Sequence, residues 1–197
     1  PKDVAALYKT SSDQDYDFKL LRGVMEVNEH QGAQFLSKAT RYLGNNLSGK
    51  TFGVLGLSFK ENTDDIRDSV AIKLVKLLRG MGATLKVYDP QAVENAKEEL
   101  GDVNITYVKN EYEVMEGSEA LFIFTEWKDF GKIDLAKTKK LLKNPVIFDG
   151  RNVLDKDVVE KADFTYFAVG KRTNGVVKVD ERSFESTAIL SKNRSVK

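Results

Sequence analysis

Three cations in this 197-residue sequence fall where a sheet protein tends to hold anions. Lys60 and Arg67 lie in Ser58-Phe59-Lys60-Glu61-Asn62-Thr63-Asp64-Asp65-Ile66-Arg67-Asp68-Ser69, directly after the apolar run Phe52-Gly53-Val54-Leu55-Gly56-Leu57. Arg151 follows a second run, Val146-Ile147-Phe148, within Asp149-Gly150-Arg151-Asn152. A third run, Phe122-Ile123-Phe124, exits into Thr125-Glu126-Trp127. Lysine offers a compact charge to phosphate, and arginine a planar fork that bonds two oxygens. A helix beginning near Asp68 or Ser69 adds free amide hydrogens and the positive end of a dipole. The chemistry these residues suit is capture of an anionic ligand by converging cations. A plainer reading stands beside it: Lys60 and Arg67 neutralise Glu61, Asp64, Asp65 and Asp68, while Asp68 or Ser69 only caps the helix. Residue chemistry alone leaves both open.

The elements that position these residues follow from hydrophobic spacing. Phe18, Leu21, Met25, Phe35, Leu36, Ala39 and Leu43 recur at helical steps, predicting a long second helix within a helical stretch from about Val4 to Leu47. Asp15 or Asp17 is the expected cap of that helix. Its length suits a segment that spans two domains or two subunits. From Gly49 the pattern becomes strand–helix alternation. Strands are expected at 52–57, 84–88, 105–108, 120–124, 145–149 and 164–169, with helices at 71–78, 93–100, 111–115 and 135–142 between them. Near-continuous apolar strands alternating with helices predict a parallel sheet covered on both faces. The fold class is therefore α/β, a doubly wound, Rossmann-like parallel sheet preceded by a long helical segment. Gly53 and Gly56 lack the third glycine of a dinucleotide fingerprint, so this sheet shows little sign of binding NAD by itself. Trp127 and His30 read as a packing residue and a surface residue.

Composition removes several other functions. Lys plus Arg number 31 against 30 for Asp plus Glu, so bulk charge draws the chain toward neither nucleic acid nor membrane. The lysines at 137, 139, 140 and 143 read as one solvated helix face. Cysteine is absent, which removes disulfides and thiolate metal sites from these residues and is compatible with a cytoplasmic home. No run approaches membrane-spanning length. The opening Pro1-Lys2-Asp3-Val4, without Met, reads as an excised product.

The segment Gly56–Ser69 closely resembles the signature of the UDP-glucose/GDP-mannose dehydrogenase family. Tyr88-Asp89-Pro90, Thr125-Glu126-Trp127 and Phe148-Asp149-Gly150-Arg151-Asn152 fit the same family in order, as do Pro1-Lys2-Asp3-Val4 and Val27-Asn28-Glu29-His30-Gln31. The resemblance extends to about Gly175. It implies an NAD-dependent, two-step oxidation of a sugar-nucleotide alcohol to an acid. It also implies a division into the end of a central helical dimerisation region (1–48) and a carboxy-terminal nucleotide-sugar domain (49–180), after which the polar, aperiodic residues 181–197 are expected to form a flexible tail. By the same resemblance Phe59, Lys60 and Arg151 hold the UDP-sugar, Lys2 and Arg67 reach the cofactor, and Asp3 assists water activation. A homodimer through the long helix is the partner expected besides the UDP-sugar.

Where the sequence departs from the family, it limits these roles. The family's nucleophilic cysteine falls just before the position of Pro1, and its glycine-rich cofactor domain lies further upstream, so these residues alone are expected to be inactive. Val70 stands where the family customarily has proline, which relaxes the first helical turn. UDP-glucose is the substrate the signature most resembles, with a UDP-N-acetylhexosamine as the alternative. A stand-alone nucleotide-sugar-binding or dimerisation module is the competing reading.

Overall fold

The computed structural model describes residues 2–173; the expected tail and the last residues of the expected carboxy-terminal domain lie outside them. Two helices come first, α1 (Lys2–Ser12) and α2 (Lys19–Leu43). Then follow β1 (Thr51–Leu55), α3 (Val70–Gly80), β2 (Thr84–Tyr88), α4 (Val93–Leu100), β3 (Ile105–Tyr107), β4 (Leu121–Ile123), α5 (Leu135–Leu141), β5 (Val146–Asp149), α6 (Lys156–Lys161) and β6 (Thr165–Ala168). The strands form one sheet in the order β3-β2-β1-β4-β5-β6, and every pairing is parallel. This is the doubly wound order, whose direction reverses between β1 and β4.

Both faces of the central strands are buried, which is why β1, β4 and β5 read as unbroken apolar runs. On one face the register lines up Phe122, Phe148 and Phe167. Phe148 stacks on Phe122 at 4.8 Å and on Phe167 at 4.7 Å, with Phe52 edge-on to Phe122 at 5.7 Å. α3 and α4 cover the β1–β3 half of this face through Leu74, Val75, Leu78 and Ala96. The carboxy-terminal half of α2 covers the rest with Phe35, Leu36 and Ala39, and Lys38 Nζ donates to the Ala168 carbonyl at 2.6 Å. The opposite face is closed by the 111–117 turns, a 3₁₀ turn at Phe130–Lys132, α5 and α6, which contribute Val114, Met115, Phe130, Leu142 and Val159. The turn at Val114 lies so close over β1 that a Cβ on Gly53 would meet its carbonyl oxygen at 2.5 Å, so only glycine fits there.

Several local expectations are corrected. Neither Asp15 nor Asp17 caps α2: Phe18 occupies that position without a side-chain bond, and Asp15 has φ +57° within the turn between the two helices. Residues 111–115 form hydrogen-bonded turns, fixed by Asn110 accepting from Tyr112 and Glu113 amides, and not a helix. The expected strand at 164–169 is Thr165–Ala168, and α6 before it had no sequence expectation.

α1 contains no buried residue, and the first half of α2 leaves Leu20, Val24 and Val27 exposed at helical spacing on one face. No helix of the described residues is long and apolar enough to cross a membrane. Among the described residues no cluster of His, Asp or Glu is arranged to hold a metal ion.

Candidate functional site

The carboxyl ends of β1, β4 and β5 meet at the point where strand order reverses, and their exit loops are bonded to one another. Gly56, at φ +92°, turns the chain out of β1; a Cβ there would meet the Thr125 amide nitrogen at 2.5 Å, so the β1 and β4 exits touch through a glycine. Thr125 Oγ1 donates to the Ser58 carbonyl at 2.8 Å across the same gap. Ser69 both caps α3, accepting from the Ile72 amide, and donates to the Leu57 carbonyl at 2.7 Å. Helix start and strand exit are thereby held together, and the capping role expected for Asp68 or Ser69 belongs to Ser69.

At the centre of this junction is Asp89, only 1% exposed at the end of β2. Its Oδ2 accepts from the Leu57 amide at 2.8 Å, the Ser58 amide at 3.0 Å, Ser58 Oγ at 2.9 Å and the Trp127 indole at 3.1 Å. Its Oδ1 accepts from the Gln91 and Ala92 amides at the entry to α4. A second buried carboxylate, Asp149 at the end of β5, accepts from the Arg151 amide, the Leu154 amide and the Tyr166 hydroxyl. Burial and this carboxylate push the Tyr166 hydroxyl's pKa far up, so it stays a donor. Buried carboxylates persist only when bonded in this way. The sequence marked both aspartates as strand ends and as members of motifs, but not as buried anchors, since the donors that enclose Asp89 come from segments distant in sequence.

The predicted site residues distribute along this edge. Phe59 and Lys60 stand exposed at the tip of the β1 exit, Phe59 at 41%. The Phe59 amide donates to the Asp65 carbonyl at 2.8 Å, folding the loop back on itself. Among the described residues Lys60 has no hydrogen-bond or ion-pair partner, so the neutralising role does not fit it. Arg67 does fit that role: its guanidinium pairs side-on with Asp65, at 2.9 Å from Nε and 2.8 Å from Nη2. Arg67 holds the Asp65 carboxyl well below the usual carboxylate range, with Lys2 acting in the same direction. Lys2 and Asp3 stand exposed in the first turn of α1. Arg151 lies on the β5 exit, its Nε bonded to Glu126 of the β4 exit. It lines a groove of about 500 Å³ with α2 and α3 rather than sharing the Lys60 loop. A cleft of about 460 Å³ beside Arg67 is rimmed by Asp64, Asp65, Glu98 and Glu99. That rim suits an anion poorly, and Lys60 lines neither hollow.

The described residues provide one cation without a partner on a braced loop, Lys60, and two more, Arg67 and Arg151, each tethered by a carboxylate.

Comparison with known proteins places the chain. Residues 53–156 match the profile described as UDP-glucose/GDP-mannose dehydrogenase family, UDP binding domain, from inside β1 to the start of α6. The UDP-glucose 6-dehydrogenase TuaD of Bacillus subtilis is 37% identical over 171 residues, covering 87% of this chain and 37% of that protein. The UDP-glucose 6-dehydrogenase of Rickettsia bellii is 36% identical, over 87% of this chain and 40% of its own length. Among solved structures, a UDP-glucose dehydrogenase from the hyperthermophilic archaeon Pyrobaculum islandicum superposes with a TM-score of 0.71 at 32% identity, over 86% of this chain and 36% of that one. The UDP-D-ManNAc dehydrogenase of Pyrococcus horikoshii gives a TM-score of 0.67 at 26% identity, over 81% and 35%. The chain thus spans about two-fifths of the curated relatives it matches.

Proposed function

The chain belongs to the UDP-glucose/GDP-mannose dehydrogenase family, in which it provides the UDP-binding domain, and from that premise we propose that it holds the UDP-sugar of an NAD-dependent UDP-glucose 6-dehydrogenase. The observation that carries this reading is Lys60: an exposed ammonium without an internal partner, beside an exposed phenyl ring, on a loop braced from below by Asp89. Lys60 neutralises the diphosphate, Phe59 lies along the nucleoside, and Arg151, oriented by Glu126 and Asp149, completes the substrate contacts. The relatives named for UDP-glucose support that sugar. The likeness to the UDP-D-ManNAc enzyme keeps a UDP-N-acetylhexosamine as the second reading.

NAD supplies the hydride acceptor when bound. Arg67 and Lys2 are the exposed cations left to meet a cofactor diphosphate on a facing domain, Arg67 by exchanging its Asp65 partner for it. Asp3, exposed in the first turn of α1, is suited to take a proton from an attacking water. A homodimer formed through α2 covers Leu20, Val24 and Val27, and the proposed setting is cytoplasmic.

Calorimetric titration with UDP tests the reading. A charge-assisted phosphate contact contributes about 1.5–3 kcal/mol, so Lys60→Ala should weaken UDP binding on the order of ten- to a hundredfold. Arg67→Ala should leave UDP affinity within about twofold, because its ligand is the cofactor. Unchanged UDP affinity in Lys60→Ala would remove Lys60 from the site and the reading with it.

A further inference from the structure

In sheets that bind dinucleotides, an acid downstream of the glycine turn faces outward and bonds the ribose of the ligand. Here the acid at the end of β2 is turned inward. Asp89 directs Oδ2 at the Leu57 amide, the Ser58 amide, Ser58 Oγ and the Trp127 indole, and Oδ1 at the Gln91 and Ala92 amides. Its two oxygens are crowded with internal donors and 1% of the residue is exposed, so it offers nothing to a ribose. What it does instead is gather three segments: the β1 exit, the β4 exit at Trp127 and the entry to α4. The segment it grips most closely, Leu57-Ser58, immediately precedes Phe59 and Lys60.

We infer that Asp89 is the positioning residue of the UDP site: its buried carboxylate templates the 57–60 loop and so sets where the Lys60 ammonium stands before ligand arrives. The inference rests on the reading of Lys60 as the phosphate contact. Three features converge on it. The Leu57 and Ser58 amides point into the protein at Asp89, so the loop cannot present them to a phosphate as a glycine-rich loop does, and the ammonium must supply the anion contact. The Ser58 carbonyl is held from the other side by Thr125 Oγ1, and the Leu57 carbonyl by Ser69 Oγ, so both residues are held through amide and carbonyl alike. The clamp ends at Phe59, whose amide bonds to the Asp65 carbonyl, and Lys60 follows it directly. Preorganisation of this kind raises affinity by removing the ordering needed at the moment of binding.

The chain has a single tryptophan, and its indole N–H is one of the donors to Asp89, so its emission reports the clamp directly. The test compares Asp89→Asn, Ser58→Ala and Val159→Ala in the intact chain. Val159, buried in α6 in the same apolar cluster as Trp127 but offering Asp89 no polar group, controls for lost stability alone. Asparagine replaces one acceptor by an NH₂ that faces donors. Asp89→Asn is therefore expected to weaken UDP at least about tenfold, to speed amide exchange at Leu57 and Ser58 by a similar factor, and to shift the tryptophan emission to the red. Ser58→Ala, which removes a single donor and keeps the fold should Asp89→Asn fail to form it, is expected to weaken UDP about three- to tenfold. Val159→Ala is expected to lower the melting temperature and leave UDP affinity and the Leu57 and Ser58 amides as they were. UDP binding that Lys60→Ala destroys but Asp89→Asn and Ser58→Ala leave within about twofold would overturn the inference while keeping the reading of Lys60. Wild-type chain that takes no UDP, with Lys60→Ala indistinguishable from it, would sink that reading and the inference together. Equal losses in Val159→Ala would reduce Asp89 to general stability and overturn the positioning role alone.

Discussion

The carboxyl edge of the sheet and the amino-terminal arm are built on opposite plans. At the edge, polar groups are buried and answered within the chain: Asp89 and Asp149 are each almost wholly enclosed and bonded to backbone amides and side chains from several elements. In the arm, apolar groups stay outside: α1 buries no residue, and Leu7, Leu20, Val24 and Val27 face solvent. The turn between α1 and α2 is held mainly by local backbone bonds and the Tyr16–Phe18 edge contact. The polar groups of the edge are answered as folded, whereas the arm leaves a row of apolar side chains uncovered among the described residues. A site for a small charged ligand needs fixed cations, and a surface for another protein needs unburied apolar area, so the two proposed roles ask opposite things of the chain.

The largest expected effect breaks the edge from beneath. Phe148 is sandwiched between Phe122 and Phe167 with Tyr42 of α2 edge-on at 6.4 Å, and it directly precedes Asp149 in β5. Phe148→Ala should cost about 3–5 kcal/mol in chemical denaturation, by cavity formation together with loss of the ring contacts. A cost below about 1 kcal/mol would mean that the phenylalanine ladder does not support the edge.

A smaller effect concerns pH. Burial, helped by Asp102, pushes the Tyr107 hydroxyl up to about 12, while its oxygen donates to the Gly101 carbonyl at 2.9 Å. An unfolded tyrosine releases its proton near about pH 10. Between those values the unfolded chain holds fewer protons than the folded one, so stability falls as pH rises. The contribution is whole below about pH 10 and is lost as pH approaches about 12. Tyr166, raised in the same direction by burial and by Asp149, adds to the slope. Melting temperatures measured across this range should fall less steeply for Tyr107→Phe than for the parent chain. Parallel curves would show that the Tyr107 hydroxyl titrates alike in both states.

How much of each region could be read from residues follows from what holds it. The strands were visible because a parallel sheet buried on both faces demands unbroken apolar runs, and Phe52–Leu57, Phe122–Phe124 and Val146–Phe148 are such runs. α2 was visible because its periodicity is long, but not the division of labour within it. Leu21 and Met25 recur at the same steps as Phe35 and Leu36, and only the sheet decides which of them is enclosed. α6 escaped because its six residues bury just Val159; its one signal was Asp155, which caps the Asp157 and Val158 amides. At the edge, the charges were legible and their partners were not. Lys60 and Arg67 looked alike in sequence, yet Asp65 lies beside Arg67 in space and nothing comparable lies beside Lys60. Asp89 was hidden for the same reason, since its partners Leu57, Ser58 and Trp127 are distant in sequence.

The smallest effect on the fold is expected in the arm, and it is the most informative about that region. Leu20, Val24 and Val27 lie on one face of the first half of α2, where exposed substitutions change stability by no more than about 0.5 kcal/mol each. Replacing all three with serine should therefore leave denaturation of the sheet domain nearly unchanged. If these side chains are covered by a second copy of the chain, the same variant should lose self-association in sedimentation experiments, and the parent's melting temperature should rise with concentration while the variant's does not. A parent that sediments as a monomer, or a triple variant that still self-associates, would reject the arm as an interface between copies. A triple variant that unfolds would instead show that the first half of α2 is part of the folded core, contrary to the exposure of its apolar face.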